Sequence, residues 1–410
     1  MNLLIAPLHY IADKNDGSEY SRAFDYLEYL SKQEDIYGDV LVGFCEKKKM
    51  GRLSIISFFQ KKPEYISNLT RLKFIFWVFL KSMILIKQNR YDIMWHNGPF
   101  ALNETFNLAG LVFSKKIPFV IGPIVTPHTF LGEDETRSMG KKINVSSSKT
   151  LALLKFFDSK TYFLSKAFIY ISNLTLKKAA LVIAKDEASK LILKNKGLYN
   201  TMILPVGNNA TQVVSYKKRA RKTTKDIVLL NVSYLVERKR TEDLIFALNI
   251  LVHKMKITNL ILVIVGDGPQ KEHLLNLTTR LKLNKYVVFK GYIKRELINK
   301  FYNKADIFVS GSISETMPAM YFEAMASGLP MVIAENNTSR ELEKYHFGGF
   351  VVASGNPAQL AKKIATLILN RSIRERFGVN NRELYISNFE FKKSMDKLKD
   401  AFFGMNQPQI

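Results

Sequence analysis

This chain has almost no cysteine: among its 410 residues Cys45 stands alone. One thiol excludes an internal disulfide framework and a cysteine-built metal centre, and it suits a reducing compartment. Acid is scarce as well, with 36 Asp+Glu against 61 Lys+Arg and a formal net charge of +25. Such an excess implies an anionic partner. No helix-turn-helix, RNP-like or zinc-finger pattern accompanies it, which turns the expectation away from nucleic acid. Apolar runs are short everywhere, none approaching the roughly 18 residues of a membrane-spanning helix. The opening MNLLIAPLHY has no basic stretch ahead of a long apolar one, so it reads as a first strand and not as a signal peptide. No GxGxxG follows that strand, against a nicotinamide oxidoreductase, and GxSxG is absent, against a hydrolase nucleophile elbow. Asp-x-Asp triplets and histidine pairs at helical spacing are missing too, so no metal and no other cofactor is expected.

What the chain has is material for two full cores. Hydrophobic residues make up 47% of it, and its length suits two domains. Short apolar runs alternate with helical patterns, which argues for parallel βαβ units and an α/β fold. Strands are expected near residues 3–6, 39–44, 53–57, 92–95, 119–121, 181–184 and 202–204 in the first half. In the second half they are expected near 227–233, 260–265, 287–290, 306–310, 331–334 and 350–352. Residues 211–225, TQVVSYKKRARKTTK, are polar, basic and aperiodic, and read as a linker. The expected division is a first domain over 1–210, the linker, a second domain over 226–388, and a helix with a frayed tail over 389–410.

The densest chemistry lies in FVSGSISETMPAMYFEAMASGLPMVIA, residues 308–334. A strand there runs into a loop holding Glu315, and Pro318 is placed to open a helix whose span is expected from Met317 to Ala326. Gly328-Leu329-Pro330 stops it. Glu315 then faces the helix N-terminus and Glu323 sits about two turns on. A strand end, free helix N–H groups and two carboxylates can hold an anion and polyhydroxyl groups. Carboxylates before and inside a helix are also common as caps and solvated charges. Upstream, NLILVIVGDGP carries a buried strand into Gly266-Asp267-Gly268-Pro269. Alone, that turn is more often structural than ligand-binding.

Glu315-x7-Glu323 and the Ala324-Met325-Ala326-Ser327-Gly328-Leu329-Pro330 that follows it resemble the signature of the retaining glycosyltransferases of family 4, the group 1 glycosyltransferases. The order of strands and turns from 228 to 335 matches the family pattern strongly, and the first half matches it weakly. The resemblance implies a GT-B fold: two doubly wound Rossmann-like domains facing each other across a cleft, with a C-terminal helix crossing back to the first. It implies a sugar transferred from a nucleotide-sugar donor with its anomeric configuration retained. Lys239, Arg238 or Arg240, and N–H groups around Thr316, Met317 and Ala319 would hold the diphosphate. Glu323 would bond the ribose hydroxyls, Glu315 the transferred sugar, and backbone near Gly291, Tyr292 and Ile293 would meet the base, with Gly266 a further donor-side candidate. One departure stands out: Tyr234 occupies the place of the arginine that the family uses on the diphosphate. In the first half, Gly17-Ser18 resembles the family's glycine loop. His128 is a catalytic candidate near the sugar or acceptor hydroxyl, and His96 and His9 are acceptor-side candidates. Each of these histidines has an ordinary loop or core histidine as its alternative.

The expected partners are a UDP- or GDP-sugar, a glycan or polyprenyl-linked acceptor, and an anionic membrane surface. The last rests on RLKFIFWVFLKSMILIK (71–87) and on the basic-aromatic segment 149–178, whose patterns suit a headgroup boundary and equally a core-facing helix rimmed by lysines. Peripheral association with the inner face of the cell membrane follows as an expectation, as does a role in surface polysaccharide or glycolipid synthesis. Two alternatives stand: a catalytically silent GT-B subunit, which Tyr234 motivates, and a nucleotide-sugar epimerase of similar fold.

Overall fold

Fully buried parallel strands are near-continuous apolar runs, and such runs set the architecture of both halves. A computed structural model of the chain describes residues 1–8, 18–63, 68–97, 100–101, 107–125, 170–204, 226–315 and 317–405. The chain divides into two units, Met1–Pro205 with Met395–Ile410, and Val206–Ser394. Segment 211–225 lies outside the described residues.

The first unit holds strands β1 (Asn2–Ile5), β2 (Tyr37–Val42), β3 (Lys49–Met50), β4 (Leu53–Ser57), β5 (Ile93–His96), β6 (Phe100–Ala101), β7 (Phe119–Val125), β8 (Leu181–Ala184) and β9 (Thr201–Ile203). Their order is β3-β4-β2-β1-β5-β7-β8-β9, with β6 beside β7. All pairings are parallel except β3 with β4. The two-residue strands β3 and β6 had no expected counterpart, being too short to leave a periodic signal. The Phe391–Met405 helix buries Met395, Leu398 and Phe402 in this unit. Phe402 meets the indole of Trp95 edge-on, Asp396 accepts from the Tyr29 hydroxyl, and Lys399 pairs with Asp35 at 2.8 Å.

The second unit holds β10 (Ile227–Val232), β11 (Leu260–Val265), β12 (Val287–Phe289), β13 (Ile307–Ser310), β14 (Met331–Ala334) and β15 (Gly349–Val352). They form a six-stranded parallel sheet in the order β12-β11-β10-β13-β14-β15. Counted within the unit this is 3-2-1-4-5-6, the Rossmann order, which reverses direction between β10 and β13. Two apolar layers cover the sheet. One packs Leu244, Leu248 and Ile364 against it, the other Tyr302, Phe308, Phe322 and Phe389.

Among the described residues no helix is long and apolar enough to cross a membrane. The Asn68–Gln88 helix turns Phe74 and Val78 into the first core, and Trp77 and Phe79 pack partly buried against it. Its outer face carries Phe76, Leu80 and Ile84, all exposed. The helix therefore has a core face and an exposed apolar stripe, where the sequence had left one or the other open.

Candidate active site

In open α/β sheets, ligands bind beyond the carboxyl ends of the strands where strand order reverses. In the second unit that point lies between β10 and β13. Beyond β10 the chain makes a short 3-10 turn, Glu237–Lys239. Beyond β13, the loop over residues 311–318 leads to the Ala319–Ala326 helix. The two loops are laced together by backbone. Ile313 N–H donates to the Arg238 carbonyl at 3.1 Å, and the Arg238 guanidinium donates to the Ser314 carbonyl at 3.1 Å. Gly311 allows this approach, since a Cβ there would lie 2.5 Å from the Arg240 carbonyl oxygen.

The lacing brings Lys239 and Glu315, 76 positions apart in sequence, into a direct ion pair between Nζ and Oε1. Both side chains are buried, at 8% and 6% exposure. Burial pushes the Lys239 ammonium below the usual lysine range, and the Glu315 carboxylate works against that shift. A charged pair held at a strand end, with polar groups around it, can exchange partners with an anionic ligand.

A buried polar scaffold fixes the Glu315 loop from below. Thr338 accepts from Met317 N–H at 2.8 Å and donates to the Glu315 carbonyl at 3.1 Å. Asn336 donates to the Ser312 carbonyl at 3.0 Å and caps the Asn337–Lys344 helix through a capping box with Ser339. Met317 thereby sits at φ +45°, in the left-handed region that a non-glycine residue occupies at a cost.

This corrects the expected helix start. Met317 precedes the helix, Pro318 is its N-cap with extended ψ, and Ala319 is its first residue. The Met317 N–H is engaged by Thr338 and its side chain lies in the core, so it is no donor to a phosphate. Among the described residues no side chain caps the Ala319–Ala326 helix.

Glu323, the second signature carboxylate, is 5% exposed. Its Oε2 accepts from the hydroxyl of Tyr302 at 2.7 Å. Burial first, and then the Glu323 charge, hold that phenol well above its ordinary range, so it remains a proton donor to the carboxylate. Tyr302, Thr338 and Asn336 were missed in the sequence. They come from neighbouring βα connections with no fixed spacing to the glutamates, and only the fold brings them together.

The remaining candidates separate. Arg240 takes a left-handed backbone, φ 44°, and its guanidinium grips Asp243 through two hydrogen bonds, 2.6 and 2.9 Å. Its fork is thus already on an acid, which sets it apart from Arg238. Tyr234 is 62% exposed and Tyr292 is 66% exposed. Gly266 donates to the Gly291 carbonyl at 2.8 Å. A Cβ on Gly266 would lie 1.8 Å from the Ser233 carbonyl. That glycine is therefore required by the close packing of the β10 and β11 ends.

In the first unit His96 ends β5, beside β1 at the point where that sheet reverses order. Burial pushes its imidazole down to about 3, so it stays neutral at physiological pH and is a poor general base. Beside it, Asn97 buries its amide, and among the described residues neither Nδ2 nor Oδ1 has a hydrogen-bond partner. Ser18 opens the Ser18–Ser31 helix. His9, Gly17, His128 and Thr316 lie outside the described residues. Among the described residues no cluster of three or more His, Cys, Asp or Glu could hold a metal ion.

Two loops at a sheet's reversal point, a buried lysine and two buried carboxylates describe a site for a ligand both anionic and hydroxylated. Residues 213–384 match the family model of glycosyl transferases group 1. That segment is similar to the group 1 glycosyltransferases, and the fold of the chain is GT-B. An uncharacterized glycosyltransferase of Methanocaldococcus jannaschii is 27% identical over 64% of this chain and 68% of that protein. The alpha-monoglucosyldiacylglycerol synthase of Acholeplasma laidlawii is 26% identical over 48% of this chain and 54% of its own. The Anabaena protein HepE, solved in complex with UDP, superposes with TM-score 0.66 at 18% identity, covering 98% of this chain and 100% of that one. The first three curated relatives are matched over only 38%, 68% and 27% of their own lengths.

Proposed function

We propose that this glycosyltransferase transfers a sugar, with retention of configuration and without a metal, from a UDP- or GDP-sugar to a glycan or lipid-linked acceptor. The observation that carries the reading is the buried Lys239–Glu315 pair, with Glu323 on Tyr302, at the reversal point of the second sheet. Departure of a nucleoside diphosphate needs cations and oriented N–H groups where its charge develops. Lys239 and the start of the Ala319–Ala326 helix supply them. Glu323, oriented by Tyr302, accepts from the ribose hydroxyls, and Glu315 from hydroxyls of the sugar. The bond from the anomeric carbon to the phosphate oxygen breaks. The acceptor oxygen bonds to that carbon on the same face, and its proton passes to the departing phosphate. Support for the donor class comes from HepE, whose structure holds UDP. Support for a lipid acceptor comes from the named activity of the Acholeplasma relative. The reading extends to peripheral association with the cytoplasmic face of a membrane, supported by the +25 charge and the exposed stripe Phe76, Leu80, Ile84.

The test is a thermal-shift titration with UDP, GDP, ADP and their sugar conjugates, with and without EDTA, on wild type and Glu323→Ala. A ligand at 100 times its Kd stabilises the fold by about 2.7 kcal/mol. One nucleotide should do so in EDTA and lose most of its effect in the variant. A flat response across the panel would overturn the donor assignment and favour a silent subunit. Conversion of the sugar-nucleotide in the absence of acceptor would favour an epimerase.

A further inference from the structure

The charge balance of the site is incomplete without one more cation. Lys239 and Glu315 cancel one another, while a diphosphate brings at least two negative charges to the same place. Three residues of the β10 loop stand near enough in sequence to complete it. Tyr234 is exposed but uncharged. Arg240 is forked on Asp243, with Glu242 a further 3.7 Å from its Nη2, so its charge is already balanced twice.

Arg238 differs from both. Its Nη1 donates to the carbonyl of Ser314, the residue before Glu315, and no carboxylate pairs with it among the described residues. Its guanidinium also lies close enough to Lys239 for the two charges to repel. A guanidinium keeps five donors in a fixed fork, of which the Ser314 contact uses one. The rest are available for a phosphate, and the Ser314 carbonyl holds the plane against the loop that carries Glu315.

We propose that Arg238 is the second cation of the diphosphate site, standing where the uncharged Tyr234 cannot serve. This rests on the donor-site reading above. A phosphate-bound arginine contributes a hydrogen bond to a charged group, so its loss should weaken binding about ten- to hundredfold. The side chain is exposed, and truncating it removes its own bond to Ser314 while the backbone bond from Ile313 N–H to the Arg238 carbonyl still joins the two loops.

The experiment is calorimetric titration of the full chain with UDP and GDP, and with UMP and GMP. Arg238→Ala should weaken the diphosphate by at least about tenfold, and the monophosphate by much less. Restoring a guanidinium from the neighbouring position, Tyr234→Arg in the Arg238→Ala background, should recover most of the loss. Arg238→Ala that binds the diphosphate as wild type does would overturn the assignment while leaving the donor site standing. Wild type that binds none of the four would overturn the donor site itself, and the assignment with it.

Discussion

Glu315 holds two obligations that a donor would separate. In this structure its carboxylate is the partner of Lys239; in the proposed complex the lysine turns to phosphate and the carboxylate to sugar. Breaking a buried pair by removing one partner usually costs several kcal/mol, because the other charge is stranded. Glu315→Gln should therefore lower the stability of the protein yet tighten nucleoside diphosphate binding about tenfold at neutral pH, while abolishing transfer. Calorimetry on the folded variant decides: equal or weaker affinity would mean that Glu315 does not compete for Lys239. Glu315 and Glu323 share one strand-loop-helix segment that the sequence shows directly, whereas Lys239, 76 positions from Glu315, was picked out only by the family resemblance. Tyr302 was not, since its contact with Glu323 depends on how two helices pack.

At the scale of elements, the strands were the most legible part of the chain. Parallel strands buried on both faces must be apolar throughout, and the runs read as strands became strands: MVIA is β14 and LVIA is β8, while the longer run FIFWVFL (74–80) lies in a helix. The start of the catalytic-loop helix was misread because proline at a helix opening suits both N-cap and first turn. What moved it was Thr338, one buried hydroxyl reaching from the next βα connection to hold Met317 N–H and the Glu315 carbonyl. Thr338→Val keeps the shape and removes the hydroxyl. Two buried backbone groups then lose their partner, at about 1–3 kcal/mol each. Thermal unfolding should show a midpoint several degrees lower, with kcat reduced, while Thr338→Ser stays near wild type. A valine variant as stable and active as wild type would mean that the loop holds its own conformation.

For the whole molecule, the question is where a charge of +25 meets its counterpart. A nucleotide and a phosphate-linked acceptor account for a few positive groups near one site, not for an excess spread over the chain. The Asn68–Gln88 helix offers a place where charge and apolar surface coincide. Phe76, Leu80 and Ile84 are each followed or preceded by a residue of the same exposed face at intervals of three or four, with Lys73 and Lys87 at the stripe's two ends and no acid along the helix. On the proposed membrane reading, such a face would insert its apolar residues at the headgroup boundary while the lysines meet anionic lipid. Trp77 and Phe79, equally apolar in sequence, pack on the core instead, and replacing them would test folding more than binding. Phe76→Ser, Leu80→Ser and Ile84→Ser together leave the core untouched. The triple variant should keep its unfolding midpoint and lose most of its cosedimentation with vesicles containing phosphatidylglycerol, and wild-type binding should fall as salt is raised. If the variant sediments as wild type does, the stripe is not the membrane contact, and the excess charge must act from another surface.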